Sequence, residues 1–390
     1  MRDEVTLKMG EAKKLGIIQE TLAGRMTVAT AAQALKLSER QIYRLRAKVK
    51  IGGEIGIVHG LRKRTPVNAL STRLREKILD LYNSKYKKHN FTHFTEVLNE
   101  EERIQTSRET VRKILRSEGK GGQIRKTKKH RKRRLRKARE GEMVFLDGSP
   151  HHWFGDEHPP CTLLLSCDDA TGGPLVGLFR KQEDRDGCFL LLEKLFKKYG
   201  LPQMLYLDKA SQFKTTRYGG VHSLQVKEEQ TQFQRAMEEL GIAIIFSHSP
   251  QARGRIERMN GTFQDRLVAE LHSRSITTIP EANQYLKQYF IPAYRRKFGL
   301  APRETPSVWR SVPAKTDFFD TLCVKDTRVV GNDNTLSYQG QTIQLYPTSY
   351  RHHFVKAKVE IRDRPDGKLH VYHPQSGKIP SRRLRSERTT

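Results

Sequence analysis

Apolar residues change their period along the chain, and each change predicts an element. From residue 141, three short runs (MVFLDGSPHHWF, CTLLLSCDDATGG, PLVGLF) are apolar at near-consecutive positions. Turn residues Gly148, Pro150, Gly172 and Gly173 lie between them, which predicts three strands. DRDGCFLLLEKLFKKYG then repeats at three and four residues through Leu191, Leu195 and Phe196 and stops at Gly200, which predicts a helix. MLYLDKASQF is a fourth strand, QFQRAMEELGIAIIFS a helix followed by a strand, and GRIERMNGTFQDRL a helix with Ile256, Met259, Phe263 and Leu267 on one stripe. The order β-β-β-α-β-α-β-α predicts a mixed sheet with helices on its faces over 141–300.

The flanks differ in texture. TVATAAQALKLSERQIYRLRAKV has helical spacing at Val28, Ala31, Ala32, Leu35 and Leu37 and again at Ile42, Leu45 and Val49. Thr27 or Thr30 caps the first helix and Ser38 the second. This outlines a helix-turn-helix domain in 1–52, with Arg40, Gln41, Tyr43, Arg44 and Arg46 placed to face a DNA major groove. Gly52 to Gly60 reads as a linker, followed by the basic residues Arg62, Lys63 and Arg64. A second helix-turn-helix-like domain is expected in 65–119. Its last helix opens at Ser107, buries Val111, Ile114 and Leu115, and presents Arg108, Arg112 and Lys113 outward. Residues 120–140 form a basic linker, in which Arg131, Arg133 and Arg134 suit DNA phosphates. After residue 316, alternating runs and turns such as DRPDGK predict a small all-β barrel or sandwich over 316–390. The fold class is thus multidomain: an all-α helix-turn-helix front, an α/β core and a small all-β barrel-like end.

Charge sharpens this picture. The 390 residues carry 73 Lys and Arg against 43 Asp and Glu, a formal net charge of +30, which suits a polyanionic partner, most often nucleic acid. There is no apolar run of bilayer length and no signal-type segment, so a soluble cytoplasmic protein is expected. The four cysteines match no zinc spacing. Cys161 and Cys167 read as small buried hydrophobes in a strand.

Three acids stand at element boundaries: Asp147 ends MVFLD, Asp208 ends MLYLD, and Glu257 opens the GRIERMNG helix, half turned toward its apolar stripe. In an α/β fold functional groups gather where strands end and helices begin. If the first and fourth strands are neighbours, these three carboxylates can converge. Hard oxygen donors without His or Cys suit Mg²⁺ or Mn²⁺, two ions per site, able to clamp the attacking and leaving oxygens of a phosphodiester. Gly148 and Gly254 beside them would leave room for a DNA backbone. Asp168 and Asp169 read as a turn near the site, Asp184 and Asp186 as helix caps, and Asp265 as a partner of Arg266 or a neighbour. Trp153 reads as core. Asn260 and Gln264 are expected on the substrate strand, Arg253 and Arg255 on its phosphate.

Together these segments resemble the catalytic core of DDE transposases with the retroviral-integrase, RNase H-like fold, most nearly bacterial insertion-sequence transposases of the ISNCY-like type. The resemblance spans most of the chain. It implies that Asp147, Asp208 and Glu257 hold two divalent metals for DNA cleavage and 3′-OH strand transfer, that the helical front binds transposon ends, and that double-stranded DNA and at least a second copy of the chain are partners. There are departures: the Asp208–Glu257 gap is longer than is typical of integrases, with KTTRYGGVHSLQVKEE as a loop insertion, and Lys209 and Ala210 replace the usual residues after the second aspartate. A metal-dependent nuclease on the same fold, and a non-catalytic DNA-binding regulator, are the alternatives. No serine or tyrosine recombinase pattern is present.

Overall fold

The computed structural model describes residues 7–59, 69–121, 135–208, 230–247, 254–313 and 316–384. Arg62, Lys63, Arg64, Arg131, Arg133, Arg134, Arg253 and the expected insertion after Asp208 lie outside these residues. The chain divides into two compact units, Met1–Lys77 and Ile78–Thr390.

The first unit is built from α1 (Met9–Leu22), α2 (Val28–Leu35) and α3 (Glu39–Gly52). Thr27 Oγ1 accepts the Thr30 N–H at 3.2 Å and Ser38 Oγ accepts that of Gln41 at 3.3 Å, each satisfying a donor that the helix start leaves open. Between the two helices Lys36 takes the left-handed conformation, φ 51°. One core unites Leu15 and Ile18 of α1 with Ala31, Ala32, Ile42 and Val49.

The second unit begins within α4 (Thr72–Ser84) and continues through α5 (Phe91–Glu100) and α6 (Arg108–Ser117). Asn90 and Ser107 cap α5 and α6 through the N–H groups of His93 and Thr110. Tyr82 meets Phe94 edge to face at 5.1 Å, and the Tyr86 hydroxyl donates to Glu102 at 2.6 Å.

The central sheet has the order β3-β2-β1-β4-β5. Strands β1 (Met143–His151), β2 (Cys161–Asp168) and β3 (Pro174–Arg180) form an antiparallel meander. Strands β4 (Met204–Leu207) and β5 (Ala243–Phe246) add parallel beside β1 through crossovers α7 (Arg185–Tyr199) and α8 (Gln232–Glu239). The predicted order of elements and the adjacency of the first and fourth strands are both present. β1 is buried on both faces: Val144 and Leu146 pack in the core with α7 and α8, Met143 and Phe145 in the core with α9 (Gly254–Ser273), α10 (Ile279–Tyr285) and α11 (Ile291–Phe298). That two-sidedness is why its sequence reads as a continuous apolar run. Asp184 caps α7 through the Gly187 N–H at 2.6 Å.

The C-terminal strands β6 (Val324–Val329), β7 (Thr335–Tyr338), β8 (Gln341–Leu345), β9 (Lys358–Asp363), β10 (Leu369–His373), β11 (Gly377–Ile379) and β12 (Ser381–Arg383) form a four-stranded sheet β11-β10-β9-β6 and a three-stranded sheet β12-β8-β7. Leu336, Ile343 and Leu345 of one sheet share a core with Val359, Ile361 and Val371 of the other. The described strands are two facing sheets on one core and do not close into the single barrel that was one of the two expectations. No described helix is long and apolar enough to cross a membrane.

Candidate active site and nucleic-acid surfaces

Strand alternation decides which way the acids point. On β1 the odd positions Met143 and Phe145 face α9, so Asp147 shares that face. On β4, Leu205 and Leu207 lie in the opposite core, while Met204 and Tyr206 pack toward α9. Asp208 follows with their parity. β1 and β4 pair in parallel, Met143 with Met204 through Phe145 with Tyr206, and the same register carried two residues on sets Asp147 opposite Asp208. Both aspartates are half-buried.

Helix α9 lies across this face. Ile256, Met259, Phe263 and Leu267 are buried against the sheet, and two side chains stitch the helix to β1 on successive turns. Asn260 Nδ2 donates to Asp147 Oδ2 at 2.7 Å, and Gln264 Nε2 donates to Ser149 Oγ at 3.0 Å. A carboxylate offers only acceptors, so the amide must turn its nitrogen to Asp147. Its Oδ1 is buried without a partner, a free acceptor beside the aspartate. Glu257 precedes Asn260 by three residues, hence on the same side of the helix one turn nearer its start, and it is exposed there. Among the described residues no three His, Cys, Asp or Glu side chains stand close enough to share a metal ion. The three candidate acids are all oxygen donors, and Glu257 stands one turn from the residue that bonds Asp147.

Several expected roles change. Asn260 is only 8% exposed and is engaged by Asp147, so the structure turns it away from the substrate strand where the sequence reading set it. Gln264 is likewise engaged by Ser149. Arg255 was expected on phosphate. It pairs instead with Asp169, a fully buried carboxylate that also accepts the Lys137 N–H at 2.7 Å. A buried charge needs a partner more than a solvated phosphate would. Asp168 is equally buried and accepts from the backbone of Gly141 and Thr171 and from the Thr171 hydroxyl. Burial pushes its carboxyl upward against those hydrogen bonds. These two acids fasten the start of the core and of α9. Asp265 pairs with Asn90, not Arg266. The space before Gly148 is filled by the Glu183 carboxylate, which a Cβ would strike, whereas Gly254 faces open space. Trp153 is buried, its Nε1 donating to Ser149 O at 3.0 Å. Burial also pushes the thiols of Cys161 and Cys323 up to about 11, which makes them poor nucleophiles.

On the candidate DNA surfaces, Arg40, Gln41, Tyr43 and Arg44 of α3 are exposed, and Arg46 lies half-buried with its guanidinium 5.8 Å from the Tyr43 ring. On α6, Arg108 is exposed, and Arg112 is held by Glu109 through two hydrogen bonds of 2.7 and 2.6 Å.

Residues 13–65 match the helix-turn-helix domain family. Most of the chain matches longer relatives. It is 32% identical over 368 residues to the putative transposase y4bF of Sinorhizobium fredii, covering 94% of this chain and 79% of that protein. It is 33% identical over 368 residues to the transposase for insertion sequence IS1202 of Streptococcus pneumoniae, covering 85% and 77%. The chain belongs to the transposases of insertion sequences. The transposase also overlaps loosely with a chain of the simian T-cell lymphotropic virus intasome in complex with PP2A regulatory subunit B56 gamma, at TM-score 0.33 and 14% identity over 80% of this chain and all of that one. A similar overlap, at TM-score 0.28 and 16% identity, relates 39% of the transposase to 89% of the HTLV-2 integrase catalytic core. Both likenesses are too distant to bear on its chemistry. Its helix-turn-helix front makes it a DNA-binding protein.

Proposed function

We propose that Asp147, Asp208 and Glu257 are the DDE acids of this transposase and hold two Mg²⁺ or Mn²⁺ ions. What supports this reading is register and face: β1 and β4 pair in parallel from Met143 with Met204 to Phe145 with Tyr206, that register continued would bring Asp147 opposite Asp208, and Asp147 is bonded from the helix whose first turn bears the glutamate. Three carboxylates repel one another while no cation joins them, and the exposed Glu257 side chain can turn toward the aspartates when one does. Bound there, two divalent ions would polarise the scissile phosphate and acidify the attacking hydroxyl. The protein's own part is orientation. Asn260 fixes one oxygen of Asp147 and so orients its carboxylate. Helices α3 and α6 seat the terminal DNA, their arginines on phosphate and base edges. Because two ends must be joined to one target, the working species contains at least two chains.

The test is cleavage of a duplex carrying the sequences that flank the gene. Wild type should nick at the element's end in Mg²⁺ or Mn²⁺, and Asp208→Asn should bind the duplex equally well but not cut it. Cutting by Asp208→Asn at the wild-type rate would remove that residue from the site.

A further inference from the structure

Helix α9 has a second charged face, and α5 is laid along it. From α5 and its cap, Asn90 donates to Asp265 at 2.5 Å, His93 Nε2 meets Glu270 at 2.9 Å, and Glu96 takes both Arg266 nitrogens, at 2.5 and 3.2 Å. Glu101 pairs with Arg274 at 2.5 Å, and Lys297 of α11 reaches Glu96 and Glu100. On both helices the contacting residues recur at helical spacing, so one stripe meets another. Within this contact His93 is 3% exposed, and the Arg266 and Glu96 side chains are largely buried. Glu270, also bonded by the Tyr285 hydroxyl, stays below the usual glutamate range: burial works to raise it, and the His93 and Tyr285 hydrogen bonds outweigh that.

The head of the same α9 carries Glu257 and Asn260. At 1.5 Å per residue, the clamped stretch from Asp265 to Arg274 begins about 12 Å from Glu257 along one helix. Helix α6, the DNA-reading candidate, packs on α5 in the same helical unit. We propose that this clamp persists on DNA and acts as a ruler: the sequence read by α6 is held at a fixed distance from the acids of its own chain, so that recognition selects the bond to be cut. The residues of the clamp, chiefly Glu96, Arg266, Glu101 and Arg274, are positioning residues. This rests on the metal-site reading above and deepens it.

The ruler is tested first without altering the protein. The base pairs touched by α6 are located by comparing the footprints of wild type and Arg108→Ala. Duplexes are then made with about 5 or about 10 base pairs inserted between those pairs and the cut. The longer insert restores the face of the helix but moves the bond by about 34 Å. Binding should persist on both, while cleavage at the end falls about a hundredfold, the loss that misplacement of a reacting group brings. A flexible tether would tolerate the inserts, and equal cutting of all three duplexes would overturn the proposal. A failure of the metal-site reading looks different, since no duplex is cut. Hydrogen exchange reads the clamp without chemistry: α5 should stay protected when the flanking-sequence duplex binds, and loss of that protection would overturn the proposal. In the protein, Glu96→Lys should lower correct cleavage without weakening end binding, and Glu96→Arg combined with Arg266→Glu should restore it. Wild-type cleavage by Glu96→Lys would count against the clamp.

Discussion

The hydrogen bond from Asn260 to Asp147 yields the sharpest prediction about the chemistry. Asn260→Ala removes a donor 2.7 Å from a carboxylate oxygen and leaves the rest of α9 on its buried stripe. A hydrogen bond to a charged group contributes about 1.5–3 kcal/mol. Asp147 is half-buried, so water replaces part of it, and the lower end of that range applies. If the orientation of Asp147 matters in the transition state, about 1.5 kcal/mol becomes a loss of about tenfold in rate, and the upper limit is about 150-fold. The assay is single-turnover strand transfer with a pre-cut end, run beside a binding titration on the same duplex. The rate should fall with affinity held within about twofold, since the lost interaction is made to Asp147 and not to DNA. Asn260→Asp should go further and move the acid limb of the pH–rate profile upward, because two adjoining carboxylates share a proton. Two results would refute the reasoning. One is an Asn260→Ala enzyme that transfers strands at the wild-type rate. The other is a loss of end binding that matches the loss of rate, which would return Asn260 to the DNA-contact role its sequence position suggests.

Other consequences follow from groups away from the aspartates. Arg255→Ala takes the guanidinium from the fully buried Asp169 and leaves it the Lys137 N–H, and breaking a buried pair from one side costs about 3–5 kcal/mol, with the lower end expected here; the denaturant midpoint should drop accordingly and hydrogen exchange at 254–260 should quicken, with Asp169→Ala in the same chain recovering much of the loss. His89 is 2% exposed, and burial first, then the neighbouring His93, press it from 6.5 down to about 3. An imidazole whose pKa is lowered on folding stabilises nothing by protonation, so stability is retained above 6.5 and is lost as pH falls below it, because the unfolded chain takes up the proton and the folded chain does not. At pH 5.5 that costs about RT ln 11, or about 1.4 kcal/mol; His89→Leu should flatten this part of the urea stability-against-pH curve, and an unchanged slope would exclude His89 as its source. Arg44→Ala, on the exposed side of α3, should weaken DNA binding and, if it touches phosphate, reduce the slope of log affinity against log salt by about one.

How far the sequence speaks depends on the range of the interaction. The order of elements along the core was legible because β1, β2 and β4 pack on two faces and so read as apolar runs between clear turns. Ser38, Asn90, Ser107 and Asp184 act within three residues of themselves, and all but Asn90 were recognisable as caps or helix starts. Glu257 stood out because an acid at the edge of an apolar stripe needs a reason. Helices α10 and α11 were not legible: prolines begin both, and a π-turn over Leu286–Phe290 between them breaks the 3.6-residue period. Partners across long stretches of chain were also hidden. Nothing near Asp265 announces Asn90, and nothing near Arg255 announces Asp169. For Arg255 the sequence offered a phosphate and the fold supplied a buried carboxylate of higher electrostatic need; for Asp265 it offered Arg266 and the fold supplied the Asn90 amide from another helix. Asn260 is intermediate: its spacing of three from Glu257 marks it as belonging to the site, but only the register of β1 under α9 shows that it serves Asp147.

The measurement that bears most directly on the central claim is strand transfer by a pre-cut flanking-end duplex with a free 3′-OH, in Mg²⁺ or Mn²⁺, with wild type and Glu257→Gln side by side. The account predicts joined products from wild type and none from Glu257→Gln, with both proteins binding the end equally. Joining that survives Glu257→Gln would contradict it.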